Sequence, residues 1–77
     1  MTPLSVLYEG EVGIVKQFDA GPFFVKRMLN IGIYEGSYIK VIKRGCPGPW
    51  LVEVNNSFRI ALGCNMTNRI LIERENI

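Results

Sequence analysis

The sequence predicts a mainly β protein, a small barrel of about five strands with one short helix inserted after the first strand. Hydrophobic and polar residues alternate in several short runs, and Gly, Pro, Asn or Ser bounds each run, as is typical of strands and turns. In one segment only, residues 22–31, the period changes from 2 to about 3.6, which indicates a helix. Closure into a barrel would remove the exposed sheet edges that short strands otherwise leave.

The N-terminal half begins with an apolar lead-in at residues 4–7, which we expect to anchor the chain to the core. A strand follows over about residues 10–18, and its alternation predicts Val12, Ile14 and Phe18 on one buried face. The whole chain has 77 residues, so we expect a single domain over residues 1–77.

The predicted helix has a start and a stop signal. Pro22 suits a first helical position, where its missing N–H costs nothing, and Gly32 is placed to close the helix in a left-handed conformation. The apolar stripe that we expect to face the core consists of Phe24, Val25, Met28, Leu29 and Ile31.

Four further strands are predicted in the C-terminal half, over residues 38–44, 50–54, 58–62 and 69–73. The segment Gly45–Pro49 contains two prolines and two glycines, so it cannot continue a ladder and is expected to be a loop. Asn55 and Asn56 tolerate positive φ and predict a hairpin tip, and residues 63–67 predict a short turn.

Composition argues against several functions. The net charge is only +2, and the main basic concentration, Lys40, Lys43 and Arg44, is small, so nucleic-acid binding is not expected. The chain has no histidine, its only aspartate is Asp19, and its serines have no evident activating base. No phosphate-binding glycine loop is present. We therefore expect no enzymatic activity and no cofactor.

The two cysteines, Cys46 and Cys64, are too few to staple a small secreted domain and belong to no Cys-x-x-Cys pair. Free thiols are the preferred interpretation, although a single bridge stays open. As metal ligands the two cysteines are weak candidates, and no metal site is expected. The N-terminus lacks the basic start and apolar core of a signal peptide, and no apolar run approaches the roughly 20 residues of a membrane span. A cytoplasmic protein without membrane insertion is expected.

Residues 27–36 read Arg-Met-Leu-Asn-Ile-Gly-Ile-Tyr-Glu-Gly and stand directly before a predicted strand. With Ile31 and Ile33 flanking Gly32, this segment resembles the FeoA family, the small SH3-like domains of bacterial ferrous iron uptake. The resemblance covers about residues 4–73, and it includes the strand Phe58–Leu62. It favours an SH3-like over an OB-like barrel.

The resemblance also implies a function: a non-enzymatic accessory protein that binds the cytoplasmic, GTP-binding region of a FeoB-type membrane transporter. Its family-level association with transition metal ions has no support in the residues of this chain. One alternative is a regulatory or dimerisation module related to the SH3-like domain of iron-dependent repressors. Another is a small barrel that binds nucleic acid. Weak self-association is also left open.

An accessory domain without active-site chemistry has to act through a contact surface. Exposed aromatic residues often anchor such surfaces, and Phe23, Tyr34 and Trp50 are the expected anchors here. Lys26 and Arg27 are expected to form a polar rim around them. We hypothesise that these five residues contact the transporter.

Overall fold

The computed structural model describes residues 1–75, in which six strands and two short α-helices follow one another along the chain. The elements are β1 (Thr2–Pro3), β2 (Val12–Phe18), α1 (Pro22–Asn30), β3 (Tyr38–Lys43), β4 (Trp50–Val54), β5 (Phe58–Leu62), α2 (Cys64–Thr67) and β6 (Ile70–Arg74). A 3-10 turn at Leu4–Val6 follows β1. The predicted mainly β fold with one inserted helix is confirmed. The strand count is six because the two-residue β1 pairs with β6.

All strand pairs in the described residues are antiparallel, and they form one sheet in the order β1–β6–β2–β3–β4–β5. Within residues 1–75 the strands β1 and β5 are the two edges of the sheet. The sequence predicted a closed barrel, but the hydrogen-bonded ladder of the described residues is open between these edges. The β1 edge is short and contains Pro3, which has no N–H to offer another strand.

The core lies on one side of this sheet, where the alternating residues of β3, β4 and β6 meet the N-terminal lead-in. Leu4 and Leu7 are completely buried, which confirms their predicted anchoring role. The fully or almost fully buried hydrophobic residues are Leu4, Leu7, Val15, Met28, Ile33, Ile39, Val41, Trp50, Val52, Val54, Leu62, Ile70 and Ile72.

The buried face of β2 differs from the predicted one. Gly13 and Val15 are buried, whereas Val12 and Ile14 are only partly covered. A glycine contributes no hydrophobic signal to the alternation, yet Gly13 is where Ile72 of β6 packs closest: a Cβ there would lie 2.9 Å from the Ile72 Cδ1 atom. A register shift between Val15 and Gln17 then returns Phe18 to the core side.

The end of α1 is a Schellman motif. Gly32 has φ +94°, its N–H donates to the Leu29 carbonyl at 3.0 Å, and the Ile33 N–H donates to the Met28 carbonyl at 2.8 Å. The predicted glycine stop is therefore confirmed. Because this motif reverses the chain, Ile33 is carried into the core, and the next residue, Tyr34, returns to the surface.

Candidate functional site

Helix α1 is the main surface element of the domain, and only one of its sides reaches the core. Met28 is completely buried, and Phe24 packs against the core. Val25 and Leu29 were expected to widen this stripe, but they are 38% and 57% exposed, so that expectation is wrong. Successive helical residues are about 100° apart, so Val25 and Leu29 lie beside the buried side and not on it.

One flank of α1 combines aromatic and basic side chains. Phe23 and Arg27, one turn apart, border a surface hollow of about 330 Å³ together with Phe24 and Arg69. The Arg69 guanidinium carbon lies 6.0 Å from the centre of the Phe24 ring, within the range of a cation–π contact. We call these four residues the aromatic–basic flank.

The aromatic–basic flank continues towards α2. A second hollow of about 380 Å³ is bordered by Phe24, Arg27 and Arg69 on one side and by residues 63–66 on the other. Among the described residues, neither Arg27 nor Arg69 takes part in an ion pair; the salt bridges there join Arg59 to Glu53 and Arg74 to Glu11.

The opposite flank of α1 is apolar. Val25 and Leu29 border a groove of about 290 Å³ together with Tyr34, which is 48% exposed. Phe18, Ile33 and the charged Glu35 also line it. We call Val25, Leu29 and Tyr34 the apolar flank.

The structure divides the contact residues that the sequence predicted. Phe23, 90% exposed, lies with Arg27 on the aromatic–basic flank, whereas Tyr34 lies on the apolar flank. Lys26 is exposed on the outward side of α1. Sequence reasoning missed Arg69, which is distant in the chain, and Leu29, whose hydrophobicity assigned it to the core.

Trp50 is not a surface residue. The expectation of a partly exposed indole is wrong, because the residue is 1% exposed and belongs to the core. It is the first residue of β4, and its side chain shares the buried face with Val52 and Val54. Its indole N–H donates to the Cys46 sulfur at 3.3 Å, and the Arg44 guanidinium lies 5.1 Å from its ring centre.

Cys46 and Cys64 are joined by a disulfide, so the expectation of free thiols is wrong. Eighteen positions separate them in sequence, but the loop after β3 and the start of α2 bring their Cα atoms to 5.8 Å. Bridged sulfurs carry no thiolate and are poor metal ligands in this state. Among the described residues, no group of three or more His, Cys, Asp or Glu side chains is arranged to hold a metal ion.

Elsewhere on the described surface, some charged side chains lie opposite one another on neighbouring strands. Lys40 stands opposite Glu53 in the β3–β4 register. At the end of β6, a hydrogen bond to the Glu75 carboxylate raises the pKa of the Tyr38 phenol, and burial and the Glu75 charge act in the same direction. The helices of residues 1–75 are all too short and too polar to cross a membrane.

The whole described chain is similar to known proteins. The FeoA domain family model matches residues 2–74. A protein of Methanocaldococcus jannaschii, provisionally named Fe(2+) transport protein A, is 40% identical over 73 residues, which cover 95% of this chain and 87% of that protein. The crystal structure of an iron uptake regulatory protein, FeoA, superposes with a TM-score of 0.85 at 26% identity and covers 96% of each chain.

More distant structures share the fold. A zinc complex of Stenotrophomonas maltophilia FeoA, described as a procaryotic SH3 domain protein, has a TM-score of 0.77 at 23% identity, with 95% of this chain and 91% of that chain covered. A manganese-dependent transcriptional repressor has a TM-score of 0.83 at 24% identity, but only 36% of its length is covered. Such likenesses concern the fold alone.

Together these findings define a small SH3-like domain whose most distinctive surface is a helix with two unlike flanks. The chain belongs to the FeoA family.

Proposed function

We propose that this protein is a non-enzymatic accessory protein of ferrous iron uptake, which acts by binding the cytoplasmic region of a FeoB-type membrane transporter. The observation that carries the proposal is family membership over nearly the whole chain, together with a 40% identical relative named for Fe(2+) transport. A cytoplasmic location follows from this role.

The surface chemistry supports an adaptor role. The described residues present exposed side chains suited to contact, and they contain no histidine that could act as a general base. Such a domain can alter the assembly or activity of a larger protein by occupying one of its surfaces. No chemical step on this chain is needed.

We assign the contact to the aromatic–basic flank. Phe23 is almost fully exposed, and a large aromatic ring in this state is a typical interface anchor. Arg27 and Arg69 beside it have no acidic partner within the described residues, so they would complement an acidic segment of the transporter. Lys26 adds a further positive charge at the rim.

The direct test is binding of the purified chain to the isolated cytoplasmic region of the FeoB-type transporter from the same organism, measured by calorimetry. We expect saturable binding that weakens as salt is raised, since charged rims are screened. Phe23→Ala and Arg27→Glu should each weaken it. Leu29→Ala on the apolar flank is the matched control, because it also removes an exposed hydrophobic side chain of α1.

The outcomes separate the function from the surface. Absence of binding by the intact chain would contradict the proposed partner. Binding that is lost in Leu29→Ala but kept in Phe23→Ala would retain the partner and place the contact on the apolar flank. Ferrous iron uptake in a strain that lacks the gene, restored by the wild type and not by Arg27→Glu, would connect the contact to transport.

A further inference from the structure

The Cys46–Cys64 bridge is placed where solvent can reach it. It joins the Gly- and Pro-rich loop between β3 and β4 to the first residue of α2. Cys46 is exposed, whereas Cys64 is only partly covered and forms part of the wall of the hollow beside Arg27 and Arg69. Both cysteines of the bridge therefore belong to surface segments of the described chain.

The surroundings of Cys46 suit a thiolate. The Trp50 indole N–H points at its sulfur from 3.3 Å, and a donor in that position stabilises a negative sulfur more than a neutral one. The Arg44 guanidinium carbon lies 5.3 Å from the centre of the Tyr8 ring and 5.1 Å from that of the Trp50 ring, so a positive charge stands over the same indole that donates to the Cys46 sulfur. A nearby cation and a hydrogen-bond donor are features of reactive cysteines.

The surroundings of Cys64 contain a hydrogen-bond acceptor for the reduced thiol. Its sulfur lies 3.7 Å from the Gly48 carbonyl oxygen, which can accept a hydrogen bond from an S–H group once the bridge is open. The loop also has a contact of its own, from the Cys46 N–H to the same carbonyl at 3.0 Å. Both redox states therefore have satisfied polar groups at this position.

We propose that Cys46 and Cys64 form a reversible thiol–disulfide exchange site, whose reactants are small thiols and disulfides of the glutathione type. A thiolate attacks the sulfur of Cys46, the more exposed of the two residues, the bond between the cysteines breaks, and Cys64 leaves as a thiolate that takes up a proton. A second small thiolate then attacks the small-molecule sulfur of the mixed disulfide and releases the Cys46 thiolate. Two thiols are oxidised to one disulfide, and the protein gains two electrons.

The exchange would change how the loop after β3 is held. With the bridge closed, the loop is covalently tied to α2; with the bridge open, that covalent tie is lost and the Cys64 thiol can still donate to the Gly48 carbonyl. Residues 63–66 border the hollow beside the aromatic–basic flank. Opening the bridge would therefore change the way one wall of that hollow is held. This consequence rests on the proposed function, which places the protein in the cytoplasm. Disulfides there are usually transient and catalytic or redox-sensing. The exchange itself does not depend on that function.

The test needs only the purified full chain. The protein is equilibrated without denaturant in mostly reduced or mostly oxidised glutathione, quenched with acid, labelled with N-ethylmaleimide in denaturant and weighed by mass spectrometry. We expect two labels from the reduced buffer, none from the oxidised buffer, and return of the first state when the buffers are exchanged. Trp50, the only tryptophan, should report the opening through increased fluorescence, because a neighbouring disulfide quenches indole emission.

Two results would overturn the proposal: no label in either buffer, which means a purely structural bridge, or two labels in both, which means thiols that do not pair. The single variants Cys64→Ser and Cys46→Ser form a matched pair that tests the assigned roles. Iodoacetamide should modify the remaining Cys46 several-fold faster than the remaining Cys64 at the same pH. Equal rates, or a faster Cys64, would contradict the role given to Trp50 and Arg44. Transporter binding does not enter this test, so its outcome is separate from that of the proposed function.

Discussion

At the scale of single residues, Phe23 and Trp50 show how differently two similar local sequences are used. Each aromatic residue follows a Gly-Pro pair, Gly21-Pro22 or Gly48-Pro49, and each was expected to be exposed. Phe23 is 90% exposed in the first turn of α1, whereas Trp50 is 1% exposed at the start of β4. The difference comes from the side of the element on which each residue lies: Trp50 is on the core-facing side of β4, whereas Phe23 is on a side of α1 that faces away from the core.

Phe23→Ala should therefore leave the free energy of unfolding within about 0.5 kcal/mol of the wild type, since exposed side chains contribute little to stability. If Phe23 anchors the transporter contact, the same change should weaken binding by about 1–3 kcal/mol. Chemical denaturation and calorimetry measure the two effects on one sample. A large loss of stability would show that Phe23 is structural.

Trp50→Ala should destabilise the domain by about 3–5 kcal/mol, because it empties a large buried site and removes the stacking partner of Arg44. That is a large part of the total stability of about 5–15 kcal/mol that a small domain has. Thermal unfolding followed by circular dichroism should show an unfolded or strongly destabilised protein. A wild-type melting temperature would contradict the burial described here.

At the scale of elements, the helix end and the turn after it depend on two glycines with positive φ. Gly32, φ +94°, closes α1, and Gly36, φ +96°, turns the chain towards β3. They differ in their surroundings. A Cβ at Gly32 would lie 2.7 Å from the tip of the Phe58 ring, while a Cβ at Gly36 would meet no atom within 4 Å.

Gly36→Ala should cost about 1–2 kcal/mol of unfolding free energy, the strain of a left-handed conformation in an L-residue. Gly32→Ala should cost more, because the Phe58 ring must also move. Urea denaturation of both variants gives the difference, and Phe58→Ala in the Gly32→Ala background should remove the additional part. Equal costs in the two single variants would mean that the contact with Phe58 is unimportant.

At the scale of the whole molecule, the bridge connects segments that are far apart in the chain but adjacent in the fold. It closes the hairpin of β4 and β5 between Cys46 and Cys64, so it restricts the unfolded chain more than the folded one. The aromatic–basic flank is assembled in a similar way, from α1 and from Arg69 just before β6. The proposed redox exchange and the proposed contact surface both depend on these long-range neighbours.

The double variant Cys46→Ser, Cys64→Ser should be about 3 kcal/mol less stable than the oxidised wild type, as expected for a closed loop of this length. Guanidinium denaturation without reductant measures the loss. The wild type in excess reductant is the control and should approach the variant. Equal stability of the variant and the oxidised wild type would show that the bridge does not stabilise the fold.

The sequence by itself determined the order of the elements, because their signals are local. Pro22 and Gly32 mark the ends of α1, alternation marks β3 and β4, and Asn55 and Asn56 adopt the positive φ expected of a hairpin tip. The exposure of Phe23 was also predicted from its place on the helix. Each of these features depends on a few neighbouring residues, and so each is visible in the sequence alone.

Only the tertiary structure decided which side of each element is covered and which distant residues meet. The buried face of β2 depends on the close packing of Ile72 against Gly13. The cysteines pair because the fold brings together two positions that are 18 apart in sequence. Arg69 joins the aromatic–basic flank because the chain returns to α1 just before β6. Leu29 is exposed because only one side of α1, the side of Met28, contacts the core. Burial and pairing at these positions are set by neighbours from elsewhere in the chain, so local periodicity alone does not fix them.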